Sequence, residues 1–178
     1  MTDDAVLWSR LVALLPEAEA EGVEECRAVG EQEAGLGLLV SGLLDHQVPI
    51  SEMVRARLSV LAEIWGEREA LTPQILQCRG DGALSSVELI EGDGSAVPEA
   101  TGWAGQDLAG LVLVPWISCP GRGRVLMRAH TQEYWGDLSY LARHYVISEP
   151  DRGVLRVFPA DSADAAFTSL CSSWSSPS

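Results

Sequence analysis

The most regular pattern of apolar positions in the chain runs from residue 30 to residue 66. Its first part places apolar residues three, four, seven and eight positions apart, on one face of an α-helix: Leu36, Leu39, Val40, Leu43 and Leu44. Its second part forms a similar stripe: Val54, Leu58, Leu61 and Trp65. Pro49 disfavours helical geometry at the residue before it, and Ser51 can cap the second helix. The pattern therefore predicts two antiparallel helices joined by a short turn.

Two more helices are predicted before this hairpin. Residues 3–15 carry Leu7, Leu11 and Leu14 on one face, and residues 17–29 place Val23 and Cys26 on the inner side. Gly30 follows the second helix as a terminator. The third helix contains three glycines, Gly35, Gly37 and Gly42, and each costs about 1 kcal/mol relative to alanine. We therefore expect another helix to approach the third helix closely.

The pattern changes after residue 70, where short apolar runs alternate with turn-forming residues. We predict strands at 74–79, 84–91, 108–117, 124–130, 144–148 and 154–158, and helices at 131–142 and 161–171. Residues 80–82 are expected to form a hairpin turn and residues 92–107 a loop. The predicted fold class is α+β: a four-helix unit over residues 1–70, then a mostly antiparallel sheet with two helices over residues 71–178.

Charge narrows the range of partners. The 178-residue chain is 47% hydrophobic and carries a formal net charge of −14. Residues 1–70 contain 14 acidic residues and 5 arginines, a net charge of −9, and the remainder contains 12 and 7, a net charge of −5. Such a surface repels nucleic-acid phosphates and anionic lipids and attracts basic proteins. We expect no direct nucleic-acid partner and no membrane partner.

The start of the chain and its cysteines suggest a cytoplasmic location. The first 15 residues carry Asp3 and Asp4 instead of a basic segment, and no apolar run approaches about 18 residues. The four cysteines form no Cys-x-x-Cys pair, so we expect no zinc or thioredoxin-like site of that kind. In a cytoplasmic protein we expect them to be buried reduced thiols.

Several residues invite a chemical interpretation, but none forms a recognisable catalytic motif. His130, Glu133 and His144 could form a metal site, yet the His-Glu-x-x-His spacing is absent. Cys119 lies beside an arginine-containing turn, and a pair with a histidine would require a contact that the sequence does not show. The turn at residues 120–124 lacks the phosphate-loop motif. We therefore expect no catalytic residues, no metal and no cofactor.

Carboxylates are concentrated in the helical half: Glu17, Glu19, Glu21, Glu24, Glu25, Glu31, Glu33 and Asp45. One interpretation is an ordinary solvated helix face, and the other is a surface that attracts a basic partner. Trp103 in the glycine-rich loop could likewise be a binding anchor or fold back onto the core.

The helical half resembles a known family in a set of short segments. These are Val29-Gly30-Glu31, Leu39-Val40, Leu43-Leu44 and Pro49-Ile50-Ser51, followed by the closing amphipathic helix. Over residues 5–66, about a third of the chain, this pattern resembles the MafI family of immunity proteins from bacterial polymorphic toxin systems. The resemblance implies a small helical protein that protects its cell by binding and inhibiting a cognate toxin. It covers no part of residues 72–178.

Two classes of function are compatible with the sequence. The first is a non-catalytic immunity protein whose acidic surface binds a basic toxin domain such as a nuclease. The alternative is an enzyme or small-ligand-binding domain in residues 72–178 with the helical half as an accessory, or else a regulatory adaptor. For the first function, the predicted toxin-binding residues are Glu24, Glu31, Glu33, Asp45 and Trp103.

Overall fold

The computed structural model describes residues 3–90, 95–96 and 108–172. The chain divides into two compact units, residues 1–85 and residues 86–178. The sequence placed the boundary after residue 70, whereas this division falls after residue 85. The first unit therefore includes an additional helix.

The described residues of the first unit form five helices: α1 (Asp3–Val12), α2 (Glu17–Ala28), α3 (Gln32–Asp45), α4 (Glu52–Ile64) and α5 (Arg68–Gln77). Helices α1 to α4 confirm the four that the apolar pattern predicted. The inner stripe of α3 is fully buried at Leu36, Leu39, Val40 and Leu43. The Ser51 hydroxyl accepts a hydrogen bond from the Val54 N–H at 3.2 Å, so Ser51 caps α4 as predicted.

The strand predicted at residues 74–79 is wrong, because residues 74–77 form the end of α5 and Cys78 is its C-cap. Pro73, which suggested a break, lies inside the helix and leaves one backbone carbonyl without its helical donor. Leu71 and Ile75 are four residues apart and both buried, so tertiary packing offsets that loss. The expected hairpin turn at residues 80–82 is also absent. Gly80 instead forms a parallel bridge with Ile50.

A buried arginine joins α4 to the end of α5. Arg55 is only 7% exposed, and its guanidinium donates to the carbonyls of Ile75 at 2.6 Å and Cys78 at 2.9 Å. Its Nε pairs with Glu52 at 2.9 Å. These carbonyls lie at the end of α5, where helical donors run out, so the guanidinium caps that helix.

The three glycines of α3 differ in their surroundings. A Cβ at Gly35 would lie 3.2 Å from the Trp8 ring and 3.3 Å from Cys26 Cβ. One at Gly42 would lie 2.9 Å from a methyl carbon of Leu15. A Cβ at Gly37 would have no neighbour within 4 Å. The expected close approach of another helix thus explains Gly35, whereas Gly42 meets only the side chain of Leu15 between α1 and α2, and Gly37 has no such explanation.

In its described residues the second unit is an antiparallel sheet with one α-helix, so the α+β class is confirmed. Its elements are β1 (Glu88–Leu89), β2 (Ser95–Ala96), β3 (Leu111–Cys119), β4 (Arg124–Thr131), β5 (His144–Glu149), β6 (Gly153–Pro159) and α6 (Ala163–Cys171). The strand order is β1-β3-β4-β5-β6, and β2 also pairs with β3. The strand predicted at 84–91 is reduced to β1, because Glu88 and Leu89 are the only strand residues in its described part, 84–90.

Helix α6 covers one face of this sheet. Ile147 lies opposite Leu126 and Arg156 in the register, and directly opposite residues share a face. Arg156 donates to the Ser169 hydroxyl of α6 at 3.1 Å, which places α6 on that face. On β4 the guanidinium of Arg128 stacks on the Trp116 ring at 4.1 Å. The opposite face contains a cluster of Leu108, Leu113, Ala129 and Val146.

The helix predicted at residues 131–142 is wrong. Thr131 is the last residue of β4, and the residues after it form turns up to β5. Gly136 has a φ of +98°, outside the right-handed helical region, so it interrupts any helix there. The second unit therefore contains one of its two predicted helices, α6.

The α3 glycines allow a matched test of helix packing. Gly37→Ala should stabilise the protein by up to about 1 kcal/mol, because alanine is the better helix former and has open space there. Gly35→Ala should destabilise it by about 1–3 kcal/mol, because the new methyl group would press on the Trp8 ring and on the Cβ of Cys26 in α2, and neither can move aside easily. Urea unfolding measures both. Equal stabilisation by the two substitutions would contradict the packing of α3.

Arg55→Met should destabilise the protein by about 1–3 kcal/mol for each buried carbonyl that loses its donor, because the substitution removes the hydrogen bonds to Ile75 and Cys78 and uncaps α5. Arg27→Met is the control, since the Arg27–Glu24 pair is solvent-exposed and should contribute about 0–1 kcal/mol. Chemical denaturation gives both values. A loss at Arg55 no larger than at Arg27 would show that the cap contributes little.

Candidate functional site

Four glutamates share one face of α2. Glu17, Glu21, Glu24 and Glu25 are separated by four, seven and eight positions from the first, which is the spacing of a single helix face. We call these four residues the acidic stripe. Val23, on another side of α2, is fully buried, so α2 packs through that side. Along the helix axis the stripe spans about 12 Å.

Most of the stripe has no neutralising cation. Glu24 pairs with Arg27 at 3.4 Å, and both side chains are more than a third exposed. Within the described ranges 3–90, 95–96 and 108–172, Glu17, Glu21 and Glu25 have no ion-pair partner. Each successive pair among these three is four residues apart, where like charges repel. The result is a concentrated negative potential along an exposed helix face.

The structure separates the four carboxylates predicted to bind a toxin. Glu24 belongs to the acidic stripe. Glu31 and Glu33 lie at the start of α3, beside the end of α2, because the Glu31 N–H bonds to the Cys26 carbonyl at 2.8 Å. Asp45 is the last residue of α3, about 18 Å along the axis from Glu33.

The stripe lies between these two ends. Glu19 of α2 pairs with His46, which follows Asp45, so the start of α2 lies beside the end of α3. Glu17 is therefore near the Asp45 end, and Glu25 is near the Glu31 end. The predicted carboxylates outside the stripe therefore lie at the two ends of the α2–α3 pair, and only Glu24 belongs to the acidic stripe itself. The fifth predicted residue, Trp103, lies outside the described residues.

The Glu19–His46 pair has an electrostatic consequence. The His46 Nε2 lies 2.9 Å from Glu19 Oε1. This hydrogen bond is the main cause that lowers the pKa of Glu19 from its ordinary value of 4.5. The folded state therefore favours ionised Glu19, which adds to the negative charge of α2.

A second surface feature lies between β4 and β5, where the sequence predicted a helix with an inward apolar side. The side chains of Tyr134 and Trp135 are exposed, the second by 72%, and Leu141 is 65% exposed. Leu138 and Tyr140 are also exposed. We call residues 132–142 the aromatic loop. Sequence reasoning missed this surface because it assigned helical periodicity there; the Gly136-Asp137 step was the signal against it.

The aromatic loop is held by hydrogen bonds at its base. Two hydrogen bonds join Ser139 to Thr131. The Ser139 N–H donates to the Thr131 carbonyl at 2.8 Å, and the Thr131 N–H donates to the Ser139 hydroxyl at 3.1 Å. His130 contributes its Nδ1, 2.8 Å from the Ser139 carbonyl oxygen. Gln132 and Leu138 form a β-bridge. The exposed side chains therefore project from a fixed backbone.

Two residues considered for metal binding or catalysis, His130 and Cys119, are buried in the second unit. His130 is buried and contacts the loop backbone, and Cys119 is buried at the end of β3. All four cysteines are free thiols. Across the described ranges, no three histidine, cysteine or acidic side chains are grouped so that they could hold a metal ion.

Comparisons with protein-family models, curated proteins and solved structures found no match to this chain. In the described part of the chain, no helix has both the length and the apolar character needed to cross a membrane.

The lowered pKa of Glu19 gives a pH prediction. A folded-state pKa below the unfolded value contributes stability that is present above the ordinary pKa of 4.5 and is lost as the pH falls through the folded value. His46→Ala should raise the pKa of Glu19 towards 4.5 and reduce this loss. NMR titration of the Glu19 carboxyl carbon measures the shift, with circular dichroism as the check on folding. An unchanged pKa would show that the pair does not form in solution.

Proposed function

We propose that this protein is a non-catalytic immunity protein that binds and neutralises a cognate bacterial toxin through the acidic surface of its first unit. The observation that carries the proposal is the acidic stripe: an exposed helix face of four glutamates, three of which have no cationic partner within the described ranges. The resemblance of residues 5–66 to the MafI family supports the same function.

The stripe is unfavourable for the isolated helix. The pairs Glu17–Glu21 and Glu21–Glu25 each cost about 0.2–0.5 kcal/mol as like charges four residues apart. Glu25 also lies in the last turn of α2, where the helix dipole disfavours an anion. A surface selected only for stability would place lysine or arginine at some of these positions. A binding role explains the repulsion, because a basic partner would relieve it.

The expected partner is a basic toxin domain such as a nuclease. An active site that grips a polyanion must be basic, so carboxylates on an inhibitor can occupy the positions of phosphates. The same charges accelerate encounter at low salt. Protection of this kind operates in the compartment where the toxin meets nucleic acid, so we place the protein in the cytoplasm. Four free thiols are consistent with such a reducing compartment.

The interface can be tested by charge neutralisation. The stripe variant carries Glu17→Gln, Glu21→Gln, Glu24→Gln and Glu25→Gln. We expect its association with the toxin encoded beside its gene to slow by about 10- to 1,000-fold at low salt. We also expect slightly higher stability, because the like-charge pairs are removed. Stopped-flow binding at several salt concentrations, urea unfolding and rescue of toxin-expressing cells measure the three properties.

A matched control removes the same number of charges elsewhere. Glu69→Gln, Glu88→Gln, Asp151→Asn and Asp161→Asn are all at exposed positions outside α2 and α3. This variant has the same net charge as the stripe variant and should retain fast binding and protection. A third variant, with Glu31→Gln, Glu33→Gln and Asp45→Asn, tests whether the interface extends to both ends of the stripe. Equal binding by the stripe and control variants would refute the proposed interface.

A further inference from the structure

We propose that the aromatic loop of the second unit is a docking surface for arginine or lysine side chains on a basic protein surface. The identity of that protein as a toxin rests on the function proposed above. The chemistry of the loop does not, and it can be tested separately.

The aromatic loop exposes several large side chains within a short segment. Tyr134 and Trp135 are adjacent and exposed, with Leu138, Tyr140 and Leu141 following within six positions. Exposed apolar side chains scattered singly are ordinary, whereas a concentration of them is typical of an interaction site. Tyrosine and tryptophan are also the residues that most often dominate binding energy at protein interfaces.

The backbone of the aromatic loop is held by hydrogen bonds. Besides the bonds at Ser139, the Arg143 N–H donates to the Ala129 carbonyl at 2.7 Å, and the Gln132 amide donates to the Gly136 carbonyl at 3.3 Å. The backbone therefore needs little ordering when a partner binds. Rings on a fixed backbone bind with a smaller entropy cost than the same rings on a flexible loop.

The aromatic loop also carries negative charge beside its rings. Glu133 and Asp137 bracket the two exposed rings, and the Glu133 N–H bonds to the Asp137 carbonyl at 2.7 Å, which closes the turn between them. A guanidinium or ammonium group can therefore stack on a ring and pair with a carboxylate of the same turn. Stacking and ion pairing strengthen each other as water is excluded.

Charge also argues against a second copy of this chain as the occupant. Residues 1–85 contain 15 acidic residues and 6 arginines, net −9, and residues 86–178 contain 11 and 6, net −5. Either unit of a second copy would bring like charge to Glu133 and Asp137, which opposes association. A basic partner has the complementary charge.

The test uses the full chain and a defined probe, a nine-residue arginine peptide, with a nine-residue glutamine peptide as the uncharged control. NMR follows the indole N–H of Trp135, assigned with Trp135→Phe. We expect the arginine peptide to shift this signal and the glutamine peptide to leave it unchanged. Glu133→Gln with Asp137→Asn should weaken the response by about 3- to 30-fold, the range expected from losing charge-assisted stacking.

A control variant distinguishes an effect of the aromatic loop from an effect of any exposed apolar side chain. Leu84→Ala alters a fully exposed leucine in the first unit and should leave the Trp135 response unchanged. Equal shifts with both peptides would overturn the proposal. So would concentration-dependent self-association, measured by sedimentation, that disappears in Tyr134→Ala/Trp135→Ala.

The toxin assay distinguishes the two proposals. If the protein is not an immunity protein, the neighbouring toxin will not bind, yet the arginine peptide will still shift Trp135. If the loop is not a docking surface, Tyr134→Ala/Trp135→Ala will bind the toxin as the unaltered protein does, while the stripe variant will bind more slowly. Weaker binding in both variants, together with the peptide response, supports the two proposals.

Discussion

The helical unit depends on one buried cation. Arg55 lies on α4, but its guanidinium bonds to carbonyls at the end of α5, so a single side chain fixes where α5 stops and which helix it pairs with. The chain beyond α5 then returns to the start of α4, where the Ile50 N–H bonds to the Arg79 carbonyl at 2.9 Å. Lysine could not replace this arginine, because one ammonium lacks the planar fork that reaches both carbonyls and Glu52.

This dependence explains why four helices were predictable and the fifth was not. Helices α1 to α4 carry apolar stripes that are visible in the sequence, and Ser51 provides a local cap. Helix α5 has only Leu71 and Ile75 buried, contains Pro73, and obtains its C-terminal cap from a residue twenty positions away. A pattern of neighbouring residues cannot reveal a cap that comes from so far along the chain. The weak apolar pattern of α5 was therefore interpreted as a strand.

The aromatic loop was misassigned for the opposite reason. Trp135, Leu138 and Leu141 have helical spacing, and apolar residues at that spacing ordinarily face a core. Here the backbone follows Gly136 and the hydrogen bonds of Ser139, so the spacing reflects no helix at all. The acidic residues were easier to find, because the concentration of carboxylates in residues 17–45 can be read directly from the sequence. Which of them share a surface required the geometry of α2, which groups Glu24 with Glu17, Glu21 and Glu25 and not with Asp45.

Both proposed surfaces are places where the sequence departs from what stability alone would favour. The acidic stripe places like charges one helical turn apart, and the aromatic loop leaves large rings in water on a well-bonded backbone. Neither feature disturbs the cores, since the stripe lies away from Val23 and the loop rings lie outside the packed sheet. Folding and the proposed binding therefore rest on different residues, so either proposed surface could change while Arg55 and the buried stripes keep the fold.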